Sequence, residues 1–199
     1  MITRNKSPKN WRRGLALLVC LLAALRLDAL SVEGLVADPR MNPKRFANEF
    51  ESFEYQFFDY VQNPETFLRK RSGDCDDYAI LADYVLKRKG FGTRLIHVRM
   101  VGRIAHAVCY VIENKAYLDY NNRKYSFNLE RSGYTVREIA DKVADSFRAN
   151  WSSASAFTYD YKQDHKQAEF TVVKTESPAK DPDRGKPPIS APPSNPASS

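Results

Sequence analysis

Three side chains in this sequence have the types and surroundings of a thiol acyl-transfer centre. The first is Cys75, in the run Gly73-Asp74-Cys75-Asp76-Asp77-Tyr78. The residues after it carry a helical apolar period, so Cys75 opens a helix. Unpaired N–H groups and partial positive charge at such a mouth favour thiolate over thiol. The same N–H groups can stabilise a tetrahedral oxyanion. A structural cysteine would instead sit in the helix's apolar stripe. The second is His106, inside Ile104-Ala105-His106-Ala107-Val108-Cys109-Tyr110-Val111. Of the three histidines, His165 lies in a polar stretch and His97 points opposite to Ile96, Val98 and Met100. The third is Asp119, between aromatic residues in Tyr117-Leu118-Asp119-Tyr120. A carboxylate there is costly unless paired, and adjacent antiparallel strands bring it to a histidine. It would then hold the imidazole tautomer that deprotonates Cys75.

Placing these groups requires a helix followed by strands. Residues 44–61 set Phe46, Phe50, Phe53, Phe57, Phe58 and Val61 at helical spacing, an aromatic stripe that reads as core. Pro64 fits the first turn of a second helix. The third helix spans roughly Cys75 to Lys89, with Tyr78, Leu81, Ala82, Val85 and Leu86 on one face and Gly90 at its end. Residues 93–101 and 104–112 then read as a hairpin turning at Gly102-Arg103. Asn114-Lys115 leads into a strand at Ala116–Tyr120, and Asn121-Asn122 into Lys124–Leu129. A helix over Thr135 to Trp151 and strands near Ala156–Lys162 and Glu169–Val173 complete an α+β layout.

The chain has 199 residues and a formal charge of +7. Residues 1–31 hold six of its 31 basic groups and one of its 24 acids, which leaves the remainder nearly neutral. That removes the best argument for nucleic acid as a partner. Lys6, Lys9, Arg12 and Arg13 precede an apolar run from Gly14 to Leu25, and Ala29-Leu30-Ser31 offers small residues at a cleavage point. Residues 1–31 therefore read as a secretory signal peptide, and the protein as exported, periplasmic or extracellular. The apolar run is shorter than the roughly 20 residues of a spanning helix, so membrane attachment would need an uncleaved signal anchor. Residues 175–199 hold seven of the eleven prolines with balanced charges, and read as a disordered tail. Residues 32–174 remain as one domain. Cleavage would leave Cys75 and Cys109, for which one disulfide is the competing reading. His106 and Cys109, three apart on a strand, face opposite sides, which sets that bridge against a Cys75–His106 contact.

The segment from Gly73 to Tyr120 resembles the transglutaminase-like superfamily, above all its bacterial exported cysteine proteinases. A G-x-C motif opens a helix there, a His motif follows on a strand, and an Asp on the next. Gly73-Asp74-Cys75-Asp76-Asp77-Tyr78-Ala79 carries the closest similarity. The resemblance implies an α+β, papain-like core, with the Cys helix packed on an antiparallel sheet. It also implies a hydrolase, peptidase or amidase, acting on a protein or peptide substrate through Cys75, His106 and Asp119. Acyl transfer to an amine is the same chemistry with another second nucleophile. The chain departs from the pattern in having no tryptophan or glutamine just before Gly73 as oxyanion donor; Gln62 and Asn63 are the nearest amides. Tyr120-Asn121 also stands where many members have proline. A non-catalytic binding module of the cell envelope is the alternative function. No cofactor is required. Some similar proteins depend on calcium, and the resemblance maps their carboxylates onto Asp74 and Asp76. The other reading of these aspartates is as helix caps.

Overall fold

A computed structural model of the chain describes residues 30–121 and 130–174. The strand expected at Lys124–Leu129, residues 1–29 of the expected signal peptide and the expected tail from residue 175 lie outside the described residues. Four helices come first: α1 (Val32–Ala37), α2 (Pro43–Glu49), α3 (Pro64–Lys70) and α4 (Cys75–Arg88). Two short strands, β1 (Glu54–Tyr55) and β2 (Ser72–Gly73), pair in parallel between them. Six further strands and one helix follow: β3 (Thr93–Met100), β4 (His106–Val111), β5 (Ala116–Leu118), β6 (Glu130–Arg131), α5 (Val136–Ser146), β7 (Trp151–Asp160) and β8 (His165–Val173). They form one antiparallel sheet in the order β6-β5-β4-β3-β7-β8. This is the α+β core that the sequence implies.

The period of two along the central strands divides the core into two layers. Leu95, Ala107, Cys109, Val111 and Leu118 face α4, whose Leu81, Ala82, Val85 and Leu86 are buried against them. Ile96, Val98, Val108, Tyr110 and Tyr117 face the other way, against Val136, Ile139 and Val143 of α5. Burying each large aliphatic side chain is worth about 1.5–3 kcal/mol, so α4 is anchored along its whole length. Gly90, at φ +85°, takes the left-handed turn that releases the chain from α4 into β3.

The aromatic helix expected over 44–61 is only partly there. The helix stops at Glu49, although Phe46, Phe50 and Phe53 do enter the core, stacking with Phe67 and Tyr78. Phe57 is exposed. The backbone donors of this stretch have other acceptors. Glu54 N–H bonds to the Arg71 carbonyl at 2.9 Å and Gln56 N–H to the Gly73 carbonyl at 2.8 Å. Phe58 and Gln62 donate to aspartate side chains at the head of α4. A segment so committed cannot also close a helical ladder.

Two boundaries also moved. The β3–β4 connection is Val101–Ala105, longer than Gly102-Arg103 alone, because Ile104 and Ala105 leave the sheet before β4 begins at His106. Helix α5 ends at Ser146, and Trp151 belongs to β7, its indole N–H donating to Asp141 at 2.7 Å.

Candidate active site

The head of α4 is held by two aspartates. Asp74, the N-cap, accepts the N–H groups of Asp76 (3.0 Å) and Asp77 (3.4 Å) on Oδ1 and that of Phe58 (3.0 Å) on Oδ2. Asp77 accepts the Asp74 N–H on Oδ2 at 3.1 Å, closing a reciprocal capping box. Asp77 also accepts the Gln62 N–H at 2.7 Å and the Gln62 Nε2–H at 2.8 Å. Asp74 and Asp77 are therefore bound into the cap, so the capping reading holds for Asp74, whereas the Asp76 carboxylate faces Lys166 instead. Burial pushes the Asp74 carboxyl up to about 6 against the pull of the Phe58 N–H, with the Asp77 charge adding to the rise. Burial likewise raises Asp77, opposed by Gln62.

Gln62 is thereby removed as an oxyanion donor, and neither it nor Asn63 lines the space beside Cys75. The Gln62 amide is committed to Asp77 and, at 3.0 Å, to the Ser72 carbonyl. Asn63 caps α3 by accepting the Glu65 N–H. Gly73, next to this network, has no room for a side chain. A Cβ there would lie 2.6 Å from both the Phe67 ring and Asp77 Oδ2.

Cys75 occupies the first position of α4, 8% exposed. Among the described residues, no acceptor is recorded for its N–H, because Asp74 takes those of the next two residues. His106 begins β4 and Asp119 follows β5, both buried. The His106 Nε2 to Asp119 Oδ1 distance is 2.8 Å. The same Asp119 oxygen accepts the Asn121 N–H at 2.8 Å. Cys75 and the imidazole face one shared space, and the Phe147 ring meets the imidazole edge-on, centroids 4.8 Å apart. Burial alone would lower the His106 pKa. The charge and hydrogen bond of Asp119, then Cys75, outweigh burial and raise it to about 10. The structure thus gathers Cys75, His106 and Asp119 at the end of β4. His97, its pKa held down at about 4 chiefly by burial and then by Lys166, and the exposed His165 do not line this site.

Cys75 and Cys109 are free thiols, so the disulfide reading fails in this fold. Cys109 is fully buried on the α4 face of the sheet, where burial pushes its thiol well up.

Cys75 and His106 open into a cavity of about 330 Å³ whose walls are Tyr55, Met100, Arg103, Ile104, Ala105, Asn121 and Phe147. None of these was singled out from sequence, where they read as strand, turn and core residues. Only their nearness to Cys75 in space marks them.

Asp74, Cys75 and Asp76 bring donor atoms within 4.8 Å of one another. A calcium ion takes six to eight oxygens. Here two carboxylates are offered, one holding three N–H groups and the other, Asp76, facing Lys166 Nζ at 3.5 Å. Both Asp74 oxygens already accept N–H groups, so Asp76 and Asp74 could hold such an ion only with water completing the shell.

A helix-mounted thiol, a strand-mounted histidine and an aspartate on the next strand define a papain-like class of architecture. The family described as Transglutaminase-like domain matches residues 40–144, and the chain belongs to it. Among solved structures, calcium-bound LapG of Legionella pneumophila is similar at 18% identity and a TM-score of 0.41, over 62% of this chain and 68% of that one. EGTA-treated LapG gives 14% identity and 0.44, over 69% and 76%. No curated protein matches the chain.

The cap network predicts that Asp77→Asn is strongly disruptive although nearly isosteric. An amide would turn an N–H group toward donors that now need acceptors. Urea unfolding should show a loss of about 1–3 kcal/mol, the usual cost of unsatisfied buried donors. Unchanged stability would mean that the carboxylate does not hold the strap of residues 54–62.

Proposed function

We propose that this chain is an exported cysteine peptidase or amidase that acts through Cys75, His106 and Asp119. The observation that carries this reading is the buried 2.8 Å His106–Asp119 pair beside a thiol at a helix mouth, on an open cavity. With Nε2–H directed at Asp119, Nδ1 is left to take the proton of Cys75. The thiolate sulfur attacks the amide carbonyl, and the oxyanion meets the N–H of Cys75. The imidazolium then gives its proton to the leaving amine, and the C–N bond breaks to leave a thioester. Water, deprotonated by the same imidazole, releases the acid and restores the thiol. Tyr55 and Ile104 on the cavity walls are both exposed, so solvent reaches the thioester and hydrolysis prevails over transfer to an amine.

The domain assignment completes the proposal: signal peptide 1–31, catalytic domain 32–174 and tail 175–199. No helix among the described residues is long and apolar enough to cross a membrane. Intact mass of the exported protein tests the first boundary, and retention of residues 1–31 would contradict it.

Under non-reducing conditions an alkylating agent should modify Cys75 long before Cys109. Cys75→Ala and His106→Ala should abolish amide hydrolysis while leaving the circular dichroism spectrum and melting temperature near wild type. Asp119→Asn should retain a residue of activity, because the imidazole loses orientation but is not removed. Wild-type turnover by His106→Ala would end the proposal.

Calcium belongs to this reading as a ligand of the helix head, held by Asp76 and Asp74, where it would neutralise acids beside the thiol. None of the steps above runs through it. Calorimetry on chelator-treated protein should give heat on adding calcium, and Asp76→Asn should remove it. Absence of heat in the wild type would leave Asp74 as a cap and Asp76 as the partner of Lys166.

A further inference from the structure

The cavity beside Cys75 carries a chemical preference of its own. Five of its walls are apolar: Tyr55, Met100, Ile104, Ala105 and Phe147. They come from β1, the end of β3, the β3–β4 loop and the end of α5, so no single element's core packing explains their convergence. Ile104 is 65% and Tyr55 52% exposed, leaving two large apolar side chains facing solvent at the rim. At about 330 Å³ the cavity stands at the small end of ligand pockets, room for a residue or two of a chain and not for a folded surface.

Its one charged wall outside the Cys75–His106 centre is Arg103. Among the described residues, no ion pair or hydrogen bond is recorded for this guanidinium, whereas Arg45, Arg94 and Arg137 each have one. No carboxylate lines the cavity to compete for it. A guanidinium in this setting is matched by a carboxylate, which it can grip through two parallel N–H donors.

Resting on the thiol-hydrolase reading of the site, we infer that the substrate is a flexible peptide segment with a large apolar side chain beside the scissile amide and an acidic residue next to it. The apolar side chain fills the space between Tyr55, Met100, Ile104 and Phe147. The acidic group pairs with Arg103. Ile104 and Arg103 adjoin on one loop, so the two recognition elements read neighbouring positions of the substrate.

Binding of four fluorescein-labelled peptides to the Cys75→Ala protein tests this without any need for turnover. They share one flexible frame and carry Leu-Asp, Leu-Lys, Ser-Asp or Ser-Lys at the central pair. Fluorescence anisotropy should place Leu-Asp first, about tenfold tighter than Leu-Lys, a difference of about 1.4 kcal/mol. Adding Arg103→Glu, at an exposed turn position, should reverse the order of Leu-Asp and Leu-Lys. Equal affinities, no binding of any peptide, or an order unmoved by Arg103→Glu would overturn the inference. Ranked binding with no cleavage of Leu-Asp by the wild type would support this cleft chemistry and reject the hydrolase reading. Cleavage of all four at one rate by the wild type would do the reverse.

Discussion

Two buried carboxylates at the head of one helix, Asp74 and Asp77, are the constraint around which the site is organised. Burying a carboxylate is expensive unless several donors satisfy it. Here the donors come from three places: the first turn of α4, the N–H of Phe58, and both the N–H and the amide of Gln62. The acids thereby draw residues 54–62 across the helix head and set β1 beside β2. Cys75 sits between them, with little freedom to move. Tyr55 reaches the cavity for the same reason, since its strand is carried there by the strap. The raised Asp74 pKa has a definite sign. A carboxyl whose folded pKa is lifted from 3.8 to about 6 binds protons better in the folded state, so this group's contribution falls as pH rises between those values.

The second buried pair lies at the opposite wall. His106 and Asp119 neutralise one another where neither charge could stand alone, and Phe147 shields the imidazole from water. For a histidine lifted from 6.5 to about 10, the stabilisation is full below the unfolded value and is lost as pH rises through the folded one. Both shifts therefore favour the folded protein toward lower pH: Asp74 through its protonated carboxyl, lost between 3.8 and about 6, and His106 through its imidazolium, lost between 6.5 and about 10. A proton passed from Cys75 to this imidazole is therefore well held there, which gives the thiolate–imidazolium pair that the proposed chemistry needs.

Much of this was legible in the residues, because the informative features are local. A glycine, an N-cap aspartate and an apolar period place Cys75 at a helix start without knowledge of the rest. Alternation in the runs around residues 96 and 108 sets the strands, and the polar residues inside the apolar runs around 108 and 118, His106 and Asp119, point to the His–Asp pair. What was not legible depends on partners distant in sequence. The aromatic spacing over 44–61 satisfies a helix and an irregular strap equally well. Only the acceptors at Arg71, Gly73, Asp74 and Asp77 decide between them. The cavity walls come from five separate stretches of chain, and no period in the sequence could assemble Tyr55, Arg103 and Phe147. Gln62 illustrates the same limit: its amide is near enough to suggest an oxyanion donor, yet Asp77 claims it.

The proposed chemistry requires that Cys75 be acylated and then released by water. Mixing the protein with an activated peptide ester and quenching in acid at short times would trap that species for mass spectrometry. The expected result is a single acyl adduct, mapped to the peptide containing Cys75, that appears in the first turnover and decays once ester is exhausted. An adduct on any other residue, or steady hydrolysis with no adduct at the earliest times, would contradict it.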